Sequence, residues 1–371
     1  LKKYRYEYHL NEITPYPLPD HSLFLDIETT GFQRTSTFLT IIGLAWQDKD
    51  IIIIEQWLNE TGQQEEPLLL LELEHFLTKW NREHGILPKL IHYNGTTFDL
   101  PYLKSKYEQY HLPSSLLECT SLDLYHLAKK YRHFLSLDGI KQKNLEECFG
   151  LFREDKLSGQ ELVESYLNSI KHQDPQLLEA YLLHNKEDME GMVFLQNLVR
   201  LDSFFAGHYE VLEWKVNESG DSVFLKLNGD FHLYKPISVS STKIHFIFEK
   251  GTVQIQIPIC HMEARFFYDN YKDYYYLPLE DCAMHKSVAG YVEKEYRIKA
   301  TKETCYTKKT DHFLPLPLPE SARLRKKALQ ECCSLQLFYE AYGDITAYVL
   351  KTMEDICNRK IYINRLLQSV L

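Results

Sequence analysis

The sequence lacks any apolar run long enough to cross a membrane. Its longer runs, such as Ile51–Ile54 and Leu68–Leu71, fall far short of the ~20 residues a spanning helix needs. No signal peptide opens the chain, which starts Leu1-Lys2-Lys3-Tyr4 without an initiator methionine, as a trimmed chain would. Cysteine is sparse. Eight in 371 residues, two of them adjacent at Cys332 and Cys333, exclude a dense disulfide framework and point to a reducing, cytoplasmic setting. A basic excess is also missing, since 42 Lys and Arg stand against 52 Asp and Glu for a formal charge of -10. That excludes a uniformly basic nucleic-acid binder. It leaves open a site built from carboxylates that meets phosphate through cations, with local basic patches steering the backbone. Internal repeats and low-complexity tracts are absent as well, which excludes a solenoid or an array.

What remains is an ordinary globular composition and a length that suggests two domains, each able to bury its own core. Residues 1–20 are aromatic and bear Pro15, Pro17 and Pro19, and read as an N-terminal arm. Leu23-Phe24-Leu25-Asp26-Ile27-Glu28 reads as a buried strand closed by Thr29-Thr30-Gly31. Strand-like runs follow at Phe38 to Trp46 and Ile51 to Gln56, then helical spacing from Pro67 to Gly85. Lys89 to Tyr93 reads as a short strand, and Asp99 to Tyr107 as a helix. Segments from Asp123, Leu145, Gln160 and Pro175 also look helical, the last running to about Val199. This order predicts an α/β domain over 21–205, a mixed sheet flanked by helices. Beyond it, Val223 to Leu227, Lys243 to Phe248 and Val253 to Ile259 alternate as half-buried antiparallel strands do. Residues 206–371 are therefore expected to form a smaller α+β domain.

Asp26 and Glu28 stand at i and i+2 on a strand, so their side chains share one face. Two unpaired carboxylates about 4 Å apart repel by about 4 kcal/mol at an effective dielectric of 20. A hard divalent cation removes that penalty; the plainer alternative is that the acids cap the following turn. His92-Tyr93-Asn94-Gly95-Thr96-Thr97-Phe98-Asp99 places another acid just past a strand end, where α/β sheets carry functional groups. A fourth acid, Asp188, shares a helical face with His184 at i and i+4. Acids from separated elements are what two ions about 3.5–4 Å apart require.

Together these segments resemble the DnaQ-like superfamily of DEDD 3′→5′ exonucleases, which have a ribonuclease-H-like fold. Asp26-Ile27-Glu28 with its Thr29-Thr30-Gly31 turn is similar to the first motif, Asn94 to Asp99 to the second, and His184 to Asp188 to the third, in family order. The resemblance covers about residues 20–200, and the whole chain looks most like the YprB-type ribonuclease-H-like proteins of bacteria. It implies that Asp26, Glu28, Asp99 and Asp188 ligate two Mg²⁺ or Mn²⁺ ions, with Asp26 bridging them, and that His184 orients or deprotonates the attacking water. It also implies a nucleic-acid substrate offered as a single-stranded 3′ end, DNA or RNA, with no membrane and no named protein partner. One departure stands out: histidine occupies the i, i+4 spacing that the tyrosine subclass uses. A core or capping histidine is the plain alternative.

Thr29, Thr30, Gly31 and Asn94 are candidates for contacts to the terminal nucleotide. Phe98 and Leu103 are candidates for stacking or wedging on its bases, though such aromatics are more often core. Asp123 reads as a helix cap or a supporting partner rather than a fifth ligand. Glu187, about 100° round the helix from Asp188, reads as solvated. Cys260, His261, Cys282 and His285 do not have the usual zinc spacing, and Cys260 reads as a small hydrophobe. Basic and aromatic residues interleave from His285 to Lys309, but Glu293, Glu295 and Glu303 dilute them, so a solvated amphipathic helix is expected there. Two further functions stay in play: a non-catalytic nucleic-acid-binding or scaffold protein on the same fold, and a phosphodiesterase for short oligonucleotides.

Overall fold

A computed structural model describes residues 1–154, 158–352 and 355–371. It divides into two compact units, one of Leu1–Asp202 with Phe231–Lys235 and one of Ser203–Asp230 with Pro236–Leu371.

The first unit is organised by one mixed sheet. Its strands are β1 (Lys2–His9), β2 (Ser22–Thr29), β3 (Leu39–Asp48), β4 (Ile51–Leu58), β5 (Lys89–His92) and β6 (Ser121–Asp123), in the order β1-β4-β3-β2-β5-β6. Strands β1 to β4 pair antiparallel, while β5 runs parallel to β2 and β6 parallel to β5. The mixed sheet flanked by helices is the fold class expected from the sequence. One segment differs. The arm expected over 1–20 begins as strand β1, in which Tyr4, Tyr6 and Tyr8 are half-buried while Lys3, Arg5, Glu7 and His9 are exposed. A period-2 alternation of aromatic and charged residues is a strand signal, and here it outweighs the prolines that follow.

The helices of this unit among the described residues are α1 (Glu66–His84), α2 (Asp99–Gln109), α3 (Leu124–Tyr131), α4 (Gln142–Phe149), α5 (Gly159–His172), α6 (Glu179–Phe194) and α7 (Gln196–Phe205), whose last residues are counted with the second unit. Local chemistry sets several of their ends. Helix α1 opens on Pro67 and closes on Gly85, whose left-handed backbone donates to Asn81 O. Helix α5 starts at a capping box between Ser158 and Glu161.

Both faces of β2 are covered. Leu23, Leu25 and Ile27 pack into a core with Leu69, Leu70, Leu73 and Leu77 of α1 and Tyr102, Leu103 and Tyr107 of α2. On the other face Ile41 and Leu58 meet Leu162, Tyr166 and Tyr181 from α5 and α6. Register places Asp26 opposite Gly43 and Glu28 opposite Ile41, so both acids lie on the α6 side.

The second unit is built from antiparallel sheets. Five strands, β7 (Glu210–Val216), β8 (Ser222–Asn228), β9 (Ile237–Ser241), β10 (Ile244–Glu249) and β11 (Thr252–Pro258), lie in the order β7-β8-β11-β10-β9. The three alternating runs read from the sequence are β8, β10 and β11; β10 buries Ile244, Phe246 and Phe248 and exposes the residues between. Strands β12 (Cys260–Phe267), β13 (Tyr274–Leu277) and β14 (Cys282–His285) precede the short α8 (Lys286–Ala289). Then come β15 (Ile298–Lys299), β16 (Tyr306–Pro317), α9 (Ala322–Glu331), β17 (Thr346–Leu350) and α10 (Ile356–Gln368). They form two three-stranded sheets, β12-β16-β17 and β14-β13-β15. The amphipathic helix expected over 285–309 is not there. Helix α8 stops after four residues at Gly290, and Ile298 and Tyr306 then enter strands, in keeping with the strand preference of β-branched and aromatic residues. No helix among the described residues is long and apolar enough to cross a membrane. All eight cysteines are free thiols.

Candidate metal centre

Asp26 and Glu28 interrupt an otherwise buried strand as its two partly exposed positions. What they face is set by the strand beside them. Gly43 sits opposite Asp26, and a Cβ there would come 2.8 Å from Asn185 Oδ1 and 2.9 Å from Met189 Sδ. Glycine in a strand interior weakens it, and is explained here by the close approach of α6. That approach delivers His184, Asn185 and Asp188 to the acids of β2.

Asn185 Nδ2 donates to Asp26 Oδ2 at 2.9 Å, while Asn185 Oδ1 accepts from Gln56 Nε2 at 2.9 Å. A buried amide chain thus orients Asp26. The i, i+4 geometry expected of the third motif is present: His184 Nε2 lies 3.2 Å from Asp188 Oδ2, and 3.8 Å from Glu28 Oε1. Glu28, His184 and Asp188 each offer a ligand atom within 4.8 Å of the others, and they are the group able to share an ion among the described residues. Cys260, His261, Cys282 and His285 form no such group there.

Asp99 comes from the other side of the sheet edge. Buried at the first turn of α2, it accepts from Ile27 N at 3.1 Å and so is tied to β2 between the two acids. The loop before it is held by Asp123, which accepts from Asn94 N at 2.7 Å, Thr96 N at 3.2 Å and Tyr125 N at 3.0 Å. Asp123 therefore caps α3 and braces the second-motif loop, as its position suggested. Burial raises its carboxyl, but hydrogen bonds from the Thr96 side chain and the Asn94 and Thr96 backbone, with the His92 charge, hold it below the ordinary value.

The acids destabilise one another's ionised forms. Burial, then the charges of Asp188, Asp99 and Glu28, push the Asp26 carboxyl well above its ordinary value. Burial pushes Asp99 up to about 7, against the opposing hydrogen bonds from the Ile27 and Asp99 backbone, with Asp123 and Asp188 adding to the rise. Oxygen donors with one imidazole suit Mg²⁺ or Mn²⁺, hard cations whose charge would relieve this crowding.

Among the residues that hold the acids, sequence reasoning missed three. Asn185 is one. The others are Arg153 and Glu146: Arg153 Nη1 donates to Asp188 Oδ1 at 2.5 Å, and its Nε and Nη2 grip Glu146 at 2.5 and 2.6 Å. Nothing in the spacing marks this pair, since Arg153 follows the end of α4 in an irregular segment. The expectation that Glu187 is solvated is overturned for the same reason. That segment crosses its face of α6, and buried Glu187 accepts from Glu154 N at 2.8 Å.

The residues expected to meet substrate flank the acids of β2 and α2 in the sequence. Thr29 Oγ1 donates to Gly31 O at 2.9 Å, and Thr30 Oγ1 accepts from Phe38 N at 3.1 Å, which fixes the turn after β2. The buried pair of Lys106 and Glu66, 3.2 Å apart, anchors the same loop, with Lys106 Nζ donating to Thr37 O at 2.5 Å. Asn94 takes a left-handed backbone, φ 62°, and accepts from Thr97 Oγ1 at 2.8 Å. Phe98, just before α2, meets Tyr102 at 5.6 Å and Phe32 edge-on at 5.8 Å. Phe32 is 88% exposed and was not singled out from the sequence. Leu103 is fully buried in the core, so it is not available to wedge between bases.

A model of the RNase_H superfamily matches residues 23–200. The uncharacterized protein YprB of Bacillus subtilis (strain 168) is 28% identical over 177 residues, covering 46% of this chain and 40% of that protein. The match thus spans well under half of that relative. Among solved structures, a family B DNA polymerase from the hyperthermophilic archaeon Pyrobaculum calidifontis is 16% identical with a TM-score of 0.39, covering 50% of this chain and 25% of that one. A chain described as the apo form of a nuclease is also 16% identical, with a TM-score of 0.24, covering 52% of this chain and 89% of that one.

Proposed function

Residues 23–200 belong to the ribonuclease H superfamily, and from that premise we propose that this chain is a metal-dependent 3′→5′ exonuclease of the DEDD type. Its substrate is the single-stranded 3′ end of DNA or RNA, and its reaction is hydrolysis of the terminal phosphodiester. The observation that carries the reading is the convergence of Glu28, His184 and Asp188, whose ligand atoms lie within 4.8 Å of one another, beside an Asp26 carboxyl that burial, and then the charges of Asp188, Asp99 and Glu28, push above its ordinary value. Four acids drawn from β2, α2 and α6 have no packing reason to converge, and their repulsion is a cost that a bound ion offsets.

In this reading Asp26, Glu28, Asp99 and Asp188 would hold two Mg²⁺ or Mn²⁺ ions, which would supply Lewis acidity at the phosphate and a lowered water pKa. His184, whose Nε2 reaches toward both Glu28 and Asp188, orients the attacking water or takes its proton. Phe98, with Phe32 beside it, offers a stacking platform to the terminal base, and the Thr29–Gly31 turn and Asn94 line its sugar-phosphate.

One observation favours a second reading, a non-catalytic nucleic-acid-binding protein: Asp188 is already paired with Arg153. The two readings separate when the protein is incubated with end-labelled single-stranded DNA and RNA in Mg²⁺, Mn²⁺ or EDTA. Exonuclease action gives metal-dependent ladders from the 3′ end that vanish in Asp26→Ala and Asp99→Ala. Binding without shortening, in wild type and variants alike, supports the second reading. Activity only on the shortest oligonucleotides would make the protein a phosphodiesterase for such fragments.

A further inference from the structure

Arg153 makes three contacts that fix its guanidinium. Nε and Nη2 form a parallel fork on the two oxygens of Glu146, which is fully buried, and Nη1 is left to donate to Asp188 Oδ1. Gln142 Nε2 ties the clamp to α6 by donating to Glu146 Oε1 and to Asp188 O, both at 2.8 Å. The sequence makes room for it: a Cβ on Gly191 of α6 would fall on the Glu146 carboxylate. Glycine inside a helix is disfavoured, so this position yields helix stability to let Glu146 in. Solvent-exposed ion pairs seldom show such support.

We propose that Arg153, clamped by Glu146, is a built-in counter-ion that lowers the affinity of the site for divalent cations; the inference rests on the cation-binding reading above. The guanidinium takes one oxygen of Asp188 and leaves Oδ2, the atom beside His184, for an ion. Its positive charge repels an incoming divalent ion and, in the cation-free protein, offsets part of the repulsion among the acids. Arg153 is thus a positioning residue acting through Asp188. It would keep the acids folded together without an ion and keep a bound ion exchangeable.

The charges of the clamp give a test with two opposite signs. Glu146→Gln removes the anchoring negative charge and leaves Arg153 acting on Asp188 alone, so Mn²⁺ should bind about tenfold more weakly. Arg153→Met with Glu146→Gln removes the pair at no change in net charge and frees Asp188; Mn²⁺ should bind about tenfold more tightly, and the EDTA-treated protein should melt lower. Calorimetric titration with Mn²⁺ alone, and melts in EDTA, read both. A merely structural clamp would move both variants the same way, and that result overturns the inference, as does unchanged affinity in both. Should the double variant fail to fold, Glu146→Gln decides by itself: no weakening sinks the inference. If wild type and variants all ignore Mn²⁺, the cation-binding reading falls too, whereas equal binding by all three removes only the role of Arg153.

Discussion

Gly43 of β3 and Asn185 of α6 lie so close that a methyl group on Gly43 would stand 2.8 Å from the Asn185 side-chain oxygen. Neighbouring Met189 closes off the remaining room, and Asn185 is the residue that hydrogen-bonds Asp26. Gly43→Ala should therefore destabilise the protein by about 1–3 kcal/mol, the usual cost of overpacking, and weaken Mn²⁺ binding as α6 moves away. Urea unfolding with a Mn²⁺ titration checks both; a variant as stable and as tight as wild type would mean the approach of α6 is not needed.

Divalent cations should stabilise the fold. An ion that binds only the native state adds about 2.7 kcal/mol at 100 times its dissociation constant, worth about 5–10 °C for a chain of this class. Asp26→Asn should cancel that gain yet melt no lower than wild type in EDTA, because it removes a source of repulsion. Equal midpoints for wild type in EDTA and in millimolar Mn²⁺ would sink the cation site.

The pH dependence in EDTA has a definite sign. Asp99 titrates near 7 in the folded protein against an ordinary 3.8. Between these values the native state holds more protons than the unfolded chain, so this group's stabilisation is complete below about pH 4 and is lost as pH rises through 7. Wild type in EDTA should lose on the order of a few kcal/mol across that window relative to Asp99→Asn, and Mn²⁺ should bind more tightly as the proton leaves. Paired melts from pH 4.5 to 7.5 read the difference; parallel curves for the two proteins would contradict it.

Read as the third-motif residue, His184 would take the place of a tyrosine in one exonuclease subclass. If it orients water, His184→Tyr keeps much of the activity while His184→Ala loses roughly 10²–10⁴-fold. If it is a true base, both variants fall alike and the acid limb of the rate profile near pH 6.5 disappears. Rates from about pH 5.5 to 9, bracketing that pKa, at saturating Mg²⁺ separate the two. A fully active His184→Ala would leave only a packing role.

The edge-to-face pair of exposed Phe32 and half-buried Phe98 should matter for substrate affinity. Either alanine variant should raise KM by an amount equivalent to about 1–3 kcal/mol of base stacking, with kcat little changed. A drop confined to kcat would argue that the pair shapes the loop rather than touching bases.

The acids were legible because β2 and α6 are regular. Two residues apart on a strand, or four on a helix, means one shared face, and these periods bring Asp26 together with Glu28 and His184 together with Asp188. Asp123 was legible as a cap for the same local reason. Arg153 and Glu146 were not. Arg153 reaches Asp188 across 35 positions from the irregular segment after α4, Glu146 of α4 acts only by holding Arg153, and the same segment covers Glu187 although its place on α6 suggested solvent. Phe32 was passed over because exposure is a property of the folded loop. Strand β1 was present in the alternation of Tyr4, Tyr6 and Tyr8 and was hidden only by the prolines after it.

Strand β1 carries a consequence for solubility. It lies outermost beside β4, whose Ile51-Ile52-Ile53-Ile54 run has high β-propensity and no charge. Bared, that run would offer open backbone hydrogen bonds to any second copy of itself, the usual start of edge-to-edge aggregation. With β1 in place, an approaching strand meets Lys3, Arg5 and Glu7 instead. Lysine, arginine and glutamate on an outermost strand discourage such self-assembly, so β1 serves as the gatekeeper of the sheet.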